Sequence, residues 1–330
     1  MTHHPHTTDS RRVYATMVLS DDEDEHIYAK YLRSPCNPSG TIALAMRQRQ
    51  YGQEENNSML TFSSRVAEAI DAKNSLLCVG LDPDTQRIPA HLRAHPDAVY
   101  RFCYDIIAAT HDLVAAFKPN IAFFEALGAG GVEVLARVMA LSPSTLWILD
   151  AKRGDIGNTA AAYATAAFDY LKADAITLNP YLGGDSLEPF LSRAERGSFL
   201  LCRTSNPGST DLQELVLADG RPLYMAVAQL AQQQWNSNSN VGLVVGATQP
   251  AALIDVRATC PDLPILLPGV GAQGGDLATA VNAGVDRHGR GLLVNVSRSV
   301  LYAANDHSFA DAARTEALRT RDAINAARRA

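Results

Sequence analysis

From residue 60 onward the 330-residue chain alternates apolar runs of strand length with segments of helical length and composition. The runs are SLLCVGLD (75–82), AAFKPN (115–120), TLWILDAK (145–152), AITLNPY (175–181), SFLLCRTS (198–205), VGLVVGAT (241–248), PILLPGVG (264–271) and GLLVNVSR (291–298). Most are apolar nearly throughout rather than alternating, which is the pattern of parallel strands covered by helices. Segments such as NTAAAYATAAFDYL and RPLYMAVAQLAQQQW supply the helices. Eight such β/α units predict an α/β fold closed into a (β/α)8 TIM barrel, rather than an open doubly wound sheet.

Residues 1–58 depart from this pattern. HHPHTTDSRR, DDEDEH and RQRQYGQEENNS carry little apolar periodicity, which predicts a disordered N-terminal extension ahead of a single barrel domain at 59–330. Met59 directly precedes TFSSRVAEAIDAKN, an amphipathic helix, and reads as an alternative start. His3, His4 and His6 are expected to be solvated rather than metal ligands. A hydrophobic content of 47% supports a sizeable core, and the formal charge of -6 disfavours nucleic-acid or anionic-membrane partners. Cys36, Cys78, Cys103, Cys202 and Cys260 form no C-x-x-C pair, so free thiols in a reducing cytoplasm are expected rather than disulfides or zinc. No apolar run reaches membrane-span length, and the N-terminus has no signal-like apolar region.

Polar residues gather at the C-terminal ends of the predicted strands: Asp82, Lys118 with Asn120, Asp150 with Lys152, Asn179, Ser205, Thr248, and Ser297 with Arg298. In a closed barrel these ends form one face, where catalytic groups collect. Along a strand, positions two apart point the same way, so Asp150 and Lys152 are both expected at the mouth. The bland alternative is a solvated charge cluster in a loop, and the strand-end placement argues against it. Asp150 and Asp155 favour the ammonium form of Lys152, which suits proton donation better than Schiff-base attack. With Lys118 and Asp82 the cluster alternates charges closely enough to stabilise a carbanion by preorganised electrostatics.

The turn GVGAQGGD (269–276) holds a G-x-G-x-x-G at Gly269, Gly271 and Gly274. Opening the first βαβ unit, that spacing would suggest a dinucleotide site, with Asp286 or a neighbour as the ribose acid. Here it follows the seventh strand, with Arg298 closing the eighth, the position at which barrels bind phosphate through backbone N–H groups. A monophosphate site at Gly271, Gln273 and Arg298 is therefore preferred. Trp147, Trp235, His91, His95 and His111 are expected to be packing or surface residues.

DAKRGDI at 150–156, with VGLDPD, FKPN, TSNPGS, PGVGAQGGD and VSRS in order around it, resembles the orotidine 5'-phosphate decarboxylase family, in its longer bacterial subgroup. The resemblance covers essentially 60–330. It implies a cofactor-free, metal-free, homodimeric barrel that converts orotidine 5'-monophosphate to UMP and carbon dioxide, the last step of de novo UMP biosynthesis. By the same resemblance Asp82 binds the ribose, Lys118 bridges ribose and charge network, Asp150 sits against the substrate carboxylate, and Lys152 protonates C6. Asp155 and Thr159 reach the partner subunit's site, Ser205 contacts the pyrimidine, residues 206–220 form a closing loop, and Gln273 and Arg298 hold the phosphate. This loop is long and differs in sequence from commoner forms. Three rival readings stand against it. A metal-dependent sugar-phosphate decarboxylase needs a carboxylate where Lys118 stands. A Schiff-base aldolase is disfavoured by the acids around Lys152. A non-catalytic nucleotide-binding protein would have little use for the retained Asp-Lys-Asp set.

Overall fold

The computed structural model describes residues 60–270 and 276–328. The predicted extension 1–58, Met59, and two expected site residues, Gly271 and Gln273, lie outside the described residues.

Eight parallel strands close into one barrel in sequence order: β1 (Leu77–Leu81), β2 (Ala116–Pro119), β3 (Leu146–Arg153), β4 (Ala175–Leu178), β5 (Gly197–Arg203), β6 (Val241–Val245), β7 (Ile265–Pro268) and β8 (Leu292–Val296). The ring is completed by β1 on β8, with Cys78 opposite Asn295. The strands are buried nearly end to end, as parallel strands covered on both faces must be. β3 and β5 are the two whose pairing slips, between Leu149 and Arg153 and between Leu201 and Arg203. Both slips fall at mouth ends, where chain irregularity re-aims side chains.

Helices connect successive strands and cover the outside. Two of the predicted helices continue past their regular part into a π turn: Gly157–Thr165 into Ala166–Tyr170, and Leu223–Leu230 into Ala231–Trp235. Trp147 is buried, donates to the Ser142 carbonyl at 3.0 Å and packs on Phe117.

The helix Phe62–Lys73 covers the N-terminal end of the barrel. Thr61 caps it by accepting from the Ser64 N–H, and Asn74 ends it in the left-handed conformation. Its polar residues bond to the loops that precede strands: Ser63 to the Ser239 carbonyl, Arg65 to the Glu195 carbonyl and the Asp174 carboxylate, and Asp71 to Arg290. Phe62, fully buried, lies so close to Gly197 that a Cβ there would come within 2.5 Å of its ring. Any larger residue at 197 would force the Phe62 ring, or the helix that carries it, to shift. Cys78, Cys103, Cys202 and Cys260 are free and buried. No helix among the described residues is long and apolar enough to cross a membrane.

Candidate active site

The mouth of the barrel concentrates charge where β2, β3 and β4 end. Lys118, 4% exposed, projects from β2 and donates from Nζ to Oδ2 of Asp150 at 2.7 Å. Asp150, itself buried, accepts on Oδ1 from Lys152 Nζ at 2.5 Å and from Thr177 Oγ1 at 3.0 Å. One carboxylate thus joins two ammonium groups of different character, since the Lys118 side chain is enclosed while that of Lys152 is 50% exposed.

Lys152 reaches this position by a route that strict strand alternation does not describe. Its backbone sits at φ 47°, in the left-handed region that a residue with a Cβ enters at a cost. Thr177 holds it there, its Oγ1 accepting the backbone N–H of Ala151 at 3.0 Å and of Lys152 at 2.9 Å. The two side chains do meet at the mouth, but through a distorted strand end braced from β4.

The electrostatics follow from burial and pairing. Burial works against the Asp150 anion, yet Lys118 and then Lys152 outweigh it and hold the carboxyl well below the usual carboxylate range. Burial likewise works against charged Lys118, and Asp150 with Asp82 overcomes it, raising the ammonium above its ordinary value. The group is therefore a fixed array of full charges, enclosed at Lys118 and Asp150 and open to solvent at Lys152.

Asp82 lies at the end of β1, with a buried Oδ1 that has no hydrogen-bond partner among the described residues. Its backbone carbonyl accepts from the Tyr302 hydroxyl at 2.9 Å, and that hydroxyl accepts the Asp84 N–H at 2.7 Å, so Tyr302 pins the loop after β1. Thr248, beyond β6, also has a buried, unpartnered hydroxyl. Arg298 is exposed and lines a cavity of about 530 Å³ with Val270, Leu277 and Arg87. The Lys118–Asp150–Lys152 group does not line that cavity. Asp155 accepts from the neighbouring Ile156 N–H at 2.8 Å, and Thr159 is exposed on the following helix, so neither joins the cluster within this chain. Ser205 packs by its backbone against Gly246, where a Cβ would meet it at 2.8 Å. Asn120 and Asn179 turn out to cap the segments that follow them, accepting the N–H of Ala122 and of Tyr181 at 3.1 Å.

The family model described as Orotidine 5'-phosphate decarboxylase / HUMPS family matches residues 75–313. The chain belongs to this family. It is 59% identical over 268 residues to the orotidine 5'-phosphate decarboxylase of Roseiflexus sp. (strain RS-1), covering 81% of this chain and 98% of that one. The corresponding protein of Aromatoleum aromaticum (strain DSM 19018 / LMG 30748 / EbN1) is 53% identical over 266 residues, covering 80% and 98%. The solved structure of Leishmania donovani OMP decarboxylase superposes with a TM-score of 0.72 at 46% identity, covering 82% of this chain and 100% of that one.

Sequence reasoning about this family member missed two mouth residues. A threonine inside an apolar strand reads as a β-former, and the signal for Thr177 is its place two positions before Asn179, on the same side of β4. Arg203 ends β5 with only 2% exposure. A charged residue closing an apolar run of an otherwise buried strand deserved the same reading that Lys118 received.

Proposed function

We propose that the chain decarboxylates orotidine 5'-monophosphate to UMP and carbon dioxide, the last step of de novo UMP biosynthesis, without cofactor or metal and with Lys152 as the proton donor. The observation that carries the reading is the alternation Lys118–Asp150–Lys152 at the barrel mouth, with one ammonium enclosed and one half-exposed.

Loss of carbon dioxide leaves an electron pair at C6 that the pyrimidine ring delocalises poorly. The required acceleration lies near the top of the enzymatic range, about 17 orders of magnitude. Asp150 sits against the substrate carboxylate, and Lys152, hydrogen-bonded to Asp150, is placed to give its proton to C6 as the C–C bond breaks. Lys118 keeps the Asp150 charge in place and, with the unpartnered Asp82 oxygen, offers a donor and an acceptor to ribose hydroxyls. Ser205 contacts the pyrimidine. Arg298, with Gln273 and the Gly271 backbone, holds the phosphate, and this remote binding energy is realised at C6 as rate. Buried Lys118 would repel a divalent cation at the end of β2, which disfavours a metal-dependent sugar-phosphate decarboxylase.

Asp155 and Thr159 complete the site of a second copy in a homodimer. Supporting this, Ile156, Tyr181 and Leu182 beside them are 59%, 75% and 47% exposed, an apolar surface suited to burial between subunits. Four free, buried cysteines suit the cytoplasm. Residues 1–58 take no part in the chemistry.

The test is the loss of substrate absorbance in EDTA-containing buffer for wild type, Lys152→Ala and a chain beginning at Met59. Metal-independent turnover is expected in wild type and in the shortened chain, with a fall of about four orders of magnitude in Lys152→Ala. Well-folded wild type without turnover would overturn the reading.

A further inference from the structure

Between β5 and the helix Leu223–Leu230, residues 204–222 leave the mouth and fold on themselves. They form a 3-10 turn (Pro207–Ser209), a single helical turn (Thr210–Gln213) and a bridge between Val216 and Pro222. Leu212, Leu215 and Val216 remain 51%, 52% and 73% exposed, so apolar packing on the barrel does not hold this segment down. Its ties are polar and converge on Arg203 and Thr204. Nη1 of Arg203 donates to the Thr204 carbonyl at 2.8 Å and to the Ser209 hydroxyl, and Nη2 donates to Oε1 of Glu214 at 2.6 Å. The Gln213 amide closes a second loop, accepting the Thr204 N–H at 2.8 Å and donating to the Thr204 hydroxyl at 2.9 Å.

The asymmetry of the ion pair is informative. Arg203 is enclosed, with its side chain 2% exposed, whereas the carboxylate that balances it belongs to a surface segment and is 49% exposed. Among the described residues Glu214 is the one acid that pairs with this guanidinium. A buried cation depends strongly on its counter-charge, so the pose of the segment is coupled to a strand of the barrel wall. Ser205 lies two residues from Arg203 and directly follows Thr204, with its backbone wedged against Gly246.

We infer that Arg203 and Glu214 are a positioning pair: a latch, anchored in the barrel wall, that fastens the segment 204–222 at the mouth and thereby sets Ser205 toward the substrate. The kinetic consequence rests on the decarboxylase reading; the mechanical one does not. Opening the latch should weaken productive binding and leave the Lys152 charge array untouched.

Glu214→Ala and Glu214→Gln test this, the second keeping an oxygen acceptor so that the fold is preserved. Glu214→Ala is expected to lower kcat/KM by about 10- to 100-fold, most of it in KM, with partial recovery in Glu214→Gln. Cleavage by endoproteinase Asp-N before Asp219, inside the segment, should quicken in Glu214→Ala, and UMP should protect wild type better than the variant. A purely structural pair would instead lower the melting temperature and leave the KM of the folded fraction and the relative UMP protection unchanged, which would overturn the proposal. So would wild-type kinetics and cleavage in both variants. Wild type that turns over no substrate, with faster cleavage in Glu214→Ala, would sink the decarboxylase reading and leave the latch standing.

Discussion

Lys118, enclosed at the mouth, and Arg257, half-buried at the floor, are cations drawn out of water at opposite ends of this barrel. Arg257, in the last turn of helix Pro250–Thr259, meets no carboxylate at bonding distance among the described residues. It donates instead to backbone carbonyls of loops at the strand starts: Gly291 at 2.7 Å, Leu263 at 2.8 Å, Gly284 at 2.9 Å and Cys260 at 3.0 Å. Burial therefore lowers its proton affinity, Asp286 opposing this only in part, whereas the Asp150 anion carries Lys118 the other way. Carbonyl dipoles fix Arg257 as a clamp between two connections, the one entering β7 and the one entering β8, and occupy its donors with neutral acceptors. A full anion beside Lys118 extends to a second, half-exposed ammonium, and the charge at the mouth is thereby left facing the entrance. The same physical problem, a cation without water, is solved at the floor by dipoles for stability and at the mouth by charges that can also do chemistry.

Asp150→Asn is the sharpest attempt to break this contrast. It keeps size while removing the anion, and kcat/KM is expected to fall by about 10³-fold. Lys118 is then left enclosed with Asp82 as its nearest opposite charge, so stability should fall as well, measured by urea unfolding. The pH dependence has a definite sign. The folded pKa of Asp150 is depressed, so its contribution is complete above the unfolded carboxylate value of about 3.9 and is lost as pH falls through the folded value. The stability gap between wild type and Asp150→Asn should therefore be constant near neutrality and narrow in acid. A gap that widened on acidification would contradict the pairing.

Arg257→Leu should behave oppositely. Removing the clamp strands several buried carbonyls and is expected to cost about 3 kcal/mol of unfolding free energy. The kcat/KM of the protein that remains folded should stay at the wild-type value. A loss of activity beyond the loss of folded protein would show that floor and mouth are not separable, and the contrast would fail.

How much of this was legible beforehand depends on how local each signal is. Near-continuous apolar runs such as VGLVV and GLLVNV can only be strands covered on both sides, and their number fixed the barrel. Strand-end position then brought Lys118, Asp150 and Lys152 together. The same positional signal also picked out Asn120 and Asn179, whose side chains turn aside to cap the next turn, because an asparagine after a strand serves a cap as readily as a site. Alternation along β3 was an incomplete guide, since Lys152 sits at positive φ and its direction is set by Thr177 on the neighbouring strand. The partner of Arg203 was illegible for a related reason: Glu214 lies eleven residues away in a segment with no regular pattern. Partners that arise only when separate strands or a folded connection meet leave no periodic trace in the chain.

Thr177→Val is the smallest change and tests the most specific part of the contrast. The substitution is nearly isosteric, yet it removes a donor to Asp150 and the acceptor for the N–H groups of Ala151 and Lys152. If the hydroxyl merely satisfies backbone groups, the variant resembles a weak floor mutation, with some stability lost and kinetics intact. If it holds Lys152 in its left-handed conformation, the strained residue relaxes and its ammonium leaves the Asp150 oxygen. The second outcome is expected: kcat falls by about 10-fold, KM changes little, and Thr177→Ser recovers most of the loss. Equal kcat in the Val and wild-type proteins would mean that Lys152 is positioned by Asp150 alone, and that the bracing from β4 belongs with the clamp at the floor.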